Sequence, residues 1–387
     1  MALQAPSAAL WLHSRNALTF RKTPKSLLNC FAPSSRRRRH DSSAREPPPP
    51  KSRIFLRASL VTVVAAAVGA YIRSRQDAGN PILNPHTFAH YRLVSREPVS
   101  STNSIFTLEP NRPADNAETY QAAWRAGIWS VLFKQPQLQI GRDYTPLPPA
   151  PDVGSDSERA DDESLRFLIR REPHGEVSRY LHSLPIGSEI EIRGPQLECE
   201  IDPNVDHILF IAGGTGIAPA LQAAYTLLSR TKDDRRPRMH ILWANRKRED
   251  CLGGVSDTTT TQAPPKTPWK FWKATKPQEP QLLKSSGTEG VVVRELQALK
   301  ARYPGQITVD YFVDEEHTFI TKKDIQSFTD SVSESGPHKK MIIVSGPDGF
   351  VSYMAGPKMW AQGHELQGPV RGLFEELDLK GWAVWKL

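Results

Sequence analysis

Cysteine is scarce, with three in 387 residues. Cys30 lies near the start of the chain, and Cys199 and Cys251 stand far apart, with no CxxC pair and no histidine at metal-ligand spacing. This excludes a disulfide framework and a structural zinc site, and leaves isolated thiols without a special task. Acidic residues are nearly missing from the first stretch, where residues 1–53 hold eleven Lys and Arg against only Asp41 and Glu46. The formal charge of +8 therefore belongs to this stretch, and the chain from Gln76 onward is net acidic. A folded part without positive excess lacks the electrostatic footprint of a nucleic-acid binder, so no nucleic-acid partner is expected.

What is present divides the chain into five parts. Residues 1–53 are rich in Arg, Ser and Pro and end in the stiff run Pro47–Pro50, as in a mitochondrial targeting leader. A basic tail retained on the mature protein is the alternative. Residues 54–72, IFLRASLVTVVAAAVGAYI, are long enough to span a membrane: 19 residues rise about 28 Å as a helix, close to a bilayer's hydrocarbon thickness. Arg57 interrupts the N-terminal end and has to snorkel, and the stretch also suits the hydrophobic part of a sorting signal. The excess of basic residues before it places the N-terminus on the positive-inside face. In a mitochondrion the body of the protein then sits at the inner membrane facing the intermembrane space. A linker, 73–86, precedes two domains, 87–203 and 204–387.

From Phe88 to Gly194 the pattern is short and alternating. Tyr91–Val94, Ile105–Leu108, Ile128–Phe133, Leu165–Arg170 and Glu189–Ile192 are parted by Pro, Ser, Asn and Gly, which predicts a small antiparallel barrel. One helix, Val177–Leu184, interrupts it. Within this part Gly141-Arg142-Asp143-Tyr144-Thr145-Pro146 puts a guanidinium fork, an aromatic face and a hydroxyl on one extended stretch. That set suits a planar ring carrying phosphate, although singly a strand-end arginine and a half-buried tyrosine are also ordinary surface and core. Gly175-Glu176-Val177-Ser178 then turns the chain into a helix start, which offers unpaired N–H groups to an anion or is simply a capped helix.

His207–Leu228, HILFIAGGTGIAPALQAAYTLL, is the stretch the chain turns on. Ile208–Ala212 is a continuous apolar run, as in a buried parallel strand. Gly213, Gly214, Thr215 and Gly216 follow, and then Ile217, Leu221, Ala224, Tyr225 and Leu228 recur on one helical face. Strand, glycine turn and helix together make a cradle for a pyrophosphate, a weak signal alone and a stronger one in series with the two preceding segments.

In that order the segments RDYTP, GEVSRYL with IGSEIEIRGP, and AGGTGIAPALQ resemble the flavin and pyridine-nucleotide motifs of the ferredoxin–NADP reductase superfamily, cytochrome b5 reductase branch. The resemblance runs from about Thr87 to the C-terminus. It implies an antiparallel FAD-binding barrel followed by a parallel-sheet domain for NADH or NADPH. It further implies that Arg142, Gly175, Val177 and Ser178 hold the FAD pyrophosphate, that Tyr144 lies against the isoalloxazine, and that Thr145 hydrogen-bonds near its reactive nitrogen. Gly213, Gly214, Thr215, Gly216 and Pro219 are then the nicotinamide nucleotide's crevice, with Gly346 and Pro347. The implied acceptor is haem or a haem protein, with cytochrome c and its haem lyase as candidate partners.

The chain departs from the family at Ser345-Gly346-Pro347-Asp348, where Cys-Gly-Pro-Pro is usual. Ser345 takes the place of the cysteine beside the nicotinamide, which bears on rate more than on binding. Asp348 either repels a phosphate or faces solvent. Bases and acids alternate in Arg246-Lys247-Arg248-Glu249-Asp250 after the next strand, Met239–Trp243, and leave NADH and NADPH both open. Residues 252–289 are a Pro-, Thr- and Lys-rich insertion, carrying the cluster Trp269-Lys270-Phe271-Trp272-Lys273 as ordinary loop residues or as a membrane or partner contact. By family habit, Trp382 or Trp385 closes over the flavin.

Overall fold

The computed structural model describes residues 61–69, 82–111, 115–149, 163–229, 236–258, 289–333 and 339–387. The leader 1–53, most of the linker and the aromatic–basic cluster 269–273 lie outside the described residues. Of the expected span 54–72, only 61–69 is described, and it is an exposed helix (α1). No described helix is long and apolar enough to cross a membrane.

Seven strands form an antiparallel sheet: β1 (Ala89–Pro98), β2 (Asn103–Pro110), β3 (Gly127–Gln135), β4 (Ile140–Tyr144), β5 (Pro146–Leu147), β6 (Leu165–Arg170) and β7 (Glu189–Glu200). Their order across the sheet is β4-β3-β7-β1-β2-β6-β5. The two end strands, β4 and β5, are consecutive in the chain and parted by Thr145 alone. A sheet whose opposite edges are one residue apart has to curl on itself, so the barrel expectation is met in this form. Alternation supplies the interior: Tyr91, Leu93, Phe106, Leu108, Val131, Phe133, Phe167 and Ile169 are fully buried in one cluster.

Two helices belong to this half. One is α3 (Glu176–Ser183), close to the expected 177–184. The other, α2 (Ala117–Ala126), corrects the expectation of a single helix. Its signal is present in AETYQAAWRA: Tyr120, Ala123 and Trp124 fall at helical spacing, and all three are buried. The Tyr120 hydroxyl meets that of Tyr91 at 2.6 Å, which ties α2 to β1.

Five parallel strands follow: β8 (Val205–Gly213), β9 (Arg238–Asn245), β10 (Ile307–Val313), β11 (Lys339–Ser345) and β14 (Trp382–Lys386), in the order β10-β9-β8-β11-β14. Each central strand carries an apolar run of four or more residues, Ile208–Ala212, Ile241–Ala244 and Met341–Val344, because both faces are covered. Helices α4 (Ile217–Ser229), α5 (Val291–Arg302), α6 (Lys322–Ser333) and α7 (Asp348–Ala355) connect them, and the short hairpin β12 (Met359–Ala361) and β13 (His364–Leu366) stands apart. The strand order runs outward from β8 in one direction to β9 and β10, and from β11 in the other to β14. A crevice therefore opens at the carboxyl ends of β8 and β11, where ligands bind in sheets of this kind.

The helix α4 is buried nearly all round, not on one face as its spacing suggests. One side packs on the parallel sheet. The other meets the barrel through polar groups: Gln222 donates to the Pro146 carbonyl at 2.8 Å and accepts from the Trp129 N–H at 2.9 Å, and the Thr226 hydroxyl donates to the Trp124 carbonyl at 2.8 Å. Two further ties join the halves. Arg166 on β6 pairs with Glu295 on α5 at 2.7 Å, and buried Asp250 accepts from Ser100 and Asn103 at 2.6 and 2.7 Å.

Candidate functional site

The crevice holds a cavity of about 140 Å³ lined by residues from three of the expected motifs, those at 142–146, 213–219 and 345–348. Tyr144 and Thr145 reach it from the junction of β4 and β5, Leu168 from β6, Thr215 and Gly216 from the turn after β8, Ala218 and Pro219 from the start of α4, and Ser345 and Gly346 from the end of β11. Segments 200 residues apart in the chain are thus brought to one small volume, and Thr145 is there because it is the residue at which the curled sheet closes.

Close backbone approach sets the wall on the side of the parallel sheet. A Cβ on Gly216 would lie 2.4 Å from the Ser345 carbonyl oxygen, so the start of α4 and the end of β11 touch only because this position is glycine. Gly214 takes a left-handed φ of 56°, and its carbonyl accepts from the Trp243 indole at 2.9 Å, which fixes the turn. A Cβ on Gly213 would meet the Phe350 ring at 2.8 Å. Gly213, Gly214 and Pro347 stand beside the cavity without lining it. Ser345 is buried, whereas Asp348 is exposed as the first residue of α7, where a negative charge suits the helix N-terminus.

On the barrel side, Tyr144 is half-buried and packs edge-on against Phe133, with ring centroids 5.1 Å apart. Burial pushes its phenol up to about 12, so it is a neutral aromatic surface at physiological pH. Arg142 alternates onto the same side of β4, and its exposed guanidinium bonds only the neighbouring Gly141 carbonyl at 2.9 Å among the described residues. Asp143 also lines the cavity. Although its side chain reaches solvent, lost hydration at the cavity wall and nearby Glu198 raise its carboxyl above the usual range.

The start of α3 is more self-contained than its sequence suggests. The Ser178 hydroxyl accepts from the Glu172 N–H at 3.1 Å and lies 3.3 Å from the Gly175 carbonyl, to which it donates. Val177 is buried in the barrel core. None of Arg142, Gly175, Val177 and Ser178 lines the cavity; they occupy β4 and the turn and first residues of α3.

The charged run after β9 is largely structural. Arg248 donates through Nε to Glu316 at 2.6 Å and through a terminal nitrogen to the Gly254 carbonyl at 3.2 Å. Glu249 accepts from the Ser101 hydroxyl at 2.6 Å, and Asp250 is the interdomain tie already described. Arg246 is exposed, and the side chain missed by sequence reasoning is its neighbour Asn245. Asn245 is buried at the carboxyl end of β9, and neither polar atom of its carboxamide has a partner among the described residues. Such an orphan beside a glycine cradle fits a polar ligand over this edge of the sheet.

Trp382 and Trp385 do not close over this cavity. Trp382 is buried beside Phe328 on another face of the sheet, and the Trp385 indole donates to the Glu198 carbonyl at 3.1 Å. The cysteines are inert by environment: burial raises the Cys199 thiol to about 12 and the Cys251 thiol to about 11. No cluster of three or more metal-ligating side chains occurs among the described residues.

Comparison with known proteins agrees with this arrangement. Residues 90–201 match the oxidoreductase FAD-binding domain and residues 210–292 the oxidoreductase NAD-binding domain. An uncharacterised FAD-binding protein of Schizosaccharomyces pombe is 26% identical over 336 residues, covering 86% of this chain and 96% of that one. NADH-cytochrome b5 reductase 1 of Meyerozyma guilliermondii is 27% identical over 50% of this chain and 64% of its own length. The cytochrome c mitochondrial import factor CYC2 of Saccharomyces cerevisiae is 32% identical over 38% of this chain and 42% of its own. The matches to these last two therefore span less than two thirds of either relative. With an FAD-binding domain and an NAD-binding domain in series around one crevice, this chain is an FAD-dependent NAD(P)H oxidoreductase with cytochrome b5 reductase-like relatives.

Proposed function

We propose that the protein is a membrane-anchored mitochondrial flavoprotein that passes electrons from NADH or NADPH, through FAD, to haem or a haem protein, in support of haem attachment to cytochrome c. The observation that carries the redox part is the single cavity shared by Tyr144, Thr145, Gly216, Pro219 and Ser345. Bound FAD supplies the chemistry, accepting a hydride and releasing electrons singly. The protein's own residues bind and orient. The Arg142 guanidinium and the backbone N–H groups at the start of α3 receive the pyrophosphate, with Gly175, Val177 and Ser178 shaping that turn. Tyr144 offers its neutral ring to the isoalloxazine, and the Thr145 hydroxyl bonds near the reacting nitrogen. Across the cavity the turn Gly213–Gly216, with Pro219, Gly346 and Pro347, seats the nicotinamide nucleotide. Ser345 holds the place beside the nicotinamide.

Support for the acceptor comes from the names of the relatives, a cytochrome b5 reductase and a cytochrome c import factor. Cytochrome c and its haem lyase are the partners this reading implies. The basic leader 1–53 and the apolar stretch 54–72 support anchoring in the mitochondrial inner membrane, with both domains in the intermembrane space.

Anaerobic mixing of the full-length protein with NADH and, separately, NADPH tests the reading. The flavin absorbance is expected to fall with at least one nucleotide and to recover when ferric haem or ferric cytochrome c is added. A flavin that stays oxidised with both would sink the reductase reading and favour an FAD-binding assembly or scaffold factor with little turnover, for which the Ser345 replacement speaks. Reduction without transfer to haem would remove only the proposed acceptor.

A further inference from the structure

The hairpin β12–β13 holds apolar side chains in water on both of its faces, and among the described residues it pairs with no other strand. Met359 and Leu366 are directly opposite, share one face, and are 48% and 50% exposed. Trp360 lies on the other face, opposite Glu365, and is 74% exposed. Exposed apolar groups gathered in this way mark contacts with proteins or membranes.

The hairpin is a built element. Gln362 and Gly363 make its tight turn, both with left-handed φ, of 54° and 80°. Its two feet are clamped by one buried cation: the Lys386 ammonium at the end of β14 donates to the Pro357 carbonyl at 3.2 Å and to the Pro369 carbonyl at 3.0 Å. The Gln367 side chain is bonded in both directions to the Lys386 backbone, at 2.7 and 3.0 Å. A two-stranded hairpin is marginal in water by itself, and here a buried charge holds one out from both sheets.

Three observations favour a bilayer surface as what covers it. Apolar side chains on both faces suit immersion in a medium, whereas a docked protein covers one face. Residues 357–371 carry Lys358 and Arg371 against Glu365 alone, and Glu365 pairs with Lys358 at 3.0 Å. This segment is thus net positive on a body that is net acidic, which suits an anionic lipid surface. The third observation is the length of chain before the body. Residues 73–81 alone part the apolar stretch 54–72 from Ile82, where the described body begins. Fully extended, they reach about 30 Å at most. Close to that entry the Gly194 N–H bonds the Asn84 carbonyl at 3.1 Å, and β7 runs about 13 Å from Gly194 to Glu198. The Glu198 carbonyl takes the Trp385 indole, and Lys386 holds Gln367 at the hairpin's foot. A body tethered this closely keeps the hairpin within reach of the membrane.

We propose that the hairpin β12–β13 is a membrane-contact surface whose Met359, Trp360 and Leu366 enter the headgroup layer of an anionic bilayer. Its unpaired strand edges stay at that depth, where water and headgroups bond them, and do not enter the hydrocarbon. The third observation rests on the anchoring proposed above, and the first two do not.

The full-length protein, reconstituted into vesicles of phosphatidylcholine and phosphatidylglycerol in equal parts, tests this. A trace of phosphatidylcholine carries a photoactivatable diazirine near its headgroup, and labelled peptides are mapped after irradiation. Labelling is expected within residues 359–366. Trp360→Asp, at an exposed position outside the crevice cavity, should reduce that labelling about tenfold, with flavin absorbance and melting temperature unchanged. Leu366→Ser should reduce it several-fold. Labelling within 54–72 reads the anchoring separately: its absence removes that reading, and the hairpin is still judged on its own labelling. An unlabelled hairpin, or labelling there that neither variant reduces, overturns the proposal. An unlabelled hairpin together with self-association that Trp360→Asp abolishes would assign the surface to a second copy of the chain instead.

Discussion

At the start of α3, glycine makes room for a side chain of its own turn; at the start of α4, it makes room for another strand. A Cβ on Gly175 would meet the Ser178 hydroxyl oxygen at 2.6 Å and the Glu172 Cβ at 2.9 Å. A Cβ on Gly216 would meet the Ser345 backbone carbonyl at 2.4 Å. A hydroxyl can rotate away at the cost of its hydrogen bonds, but a carbonyl held in a parallel sheet cannot. Two turns that look equivalent as glycine-containing helix entries therefore differ in reach. The first is a local device, and the second sets how closely two of the segments that line the crevice cavity approach each other.

Substitutions at the two glycines should separate these roles. Gly216→Ala has the larger expected effect. It pushes the start of α4 from the end of β11, and displacements of this order cost about a hundredfold in rate when reacting groups have to be aligned. Flavin reduction by the nucleotide should fall by about that factor, measured anaerobically, while FAD stays bound. Gly175→Ala should cost only about 1 kcal/mol, through the bonds of Ser178, and lower the melting temperature by a few degrees. In a Ser178→Ala background, where those bonds are already gone, Gly175→Ala should cost less than it does in the wild type, with only the Glu172 contact left. An equal rate defect in both single variants would erase the contrast.

The smallest expected effect is a pH dependence within the nucleotide half. His240 is buried against Phe328 and lies 3.6 Å from Asp310. Desolvation lowers its pKa despite that carboxylate, which acts in the opposite direction. The unfolded chain takes up a proton near the ordinary value of about 6.5 while the folded chain resists it, so stability is full above that pH and declines below it. The limit is about 1.4 kcal/mol per pH unit for one such group. His182 on α3, lowered chiefly by burial, acts with the same sign. Melting temperatures taken from pH 7.5 to 5.5 should fall in the wild type and fall less in His240→Gln; equal slopes would assign the effect elsewhere.

Much of the architecture was legible because it rests on local periodicity. The apolar run before Gly213 and the alternating pieces of the first half lie within observed strands, and α4 runs over Ile217–Ser229 against an expectation of 217–228. The second buried face of α4 was not legible, since Gln222 and Thr226 look like solvent residues until the barrel's carbonyls are brought against them. Asn245 and Trp129 are of the same kind: an orphan polar atom is a property of packing, which no spacing reveals. The charged run 246–250 misled in the opposite direction, because its side chains look free in sequence and are largely taken up by Ser100, Ser101, Asn103 and Glu316 in the fold.

The central claim is that one cavity brings flavin and nicotinamide face to face across Thr145 and Gly216. Long-wavelength charge-transfer absorbance, which arises only when the two rings stack, reports this directly during anaerobic mixing of the full-length protein with NADH or NADPH. The account predicts that the band forms in the wild type ahead of flavin reduction and is lost in Gly216→Ala with FAD retained. A band and a reduction rate that survive Gly216→Ala unchanged would contradict it.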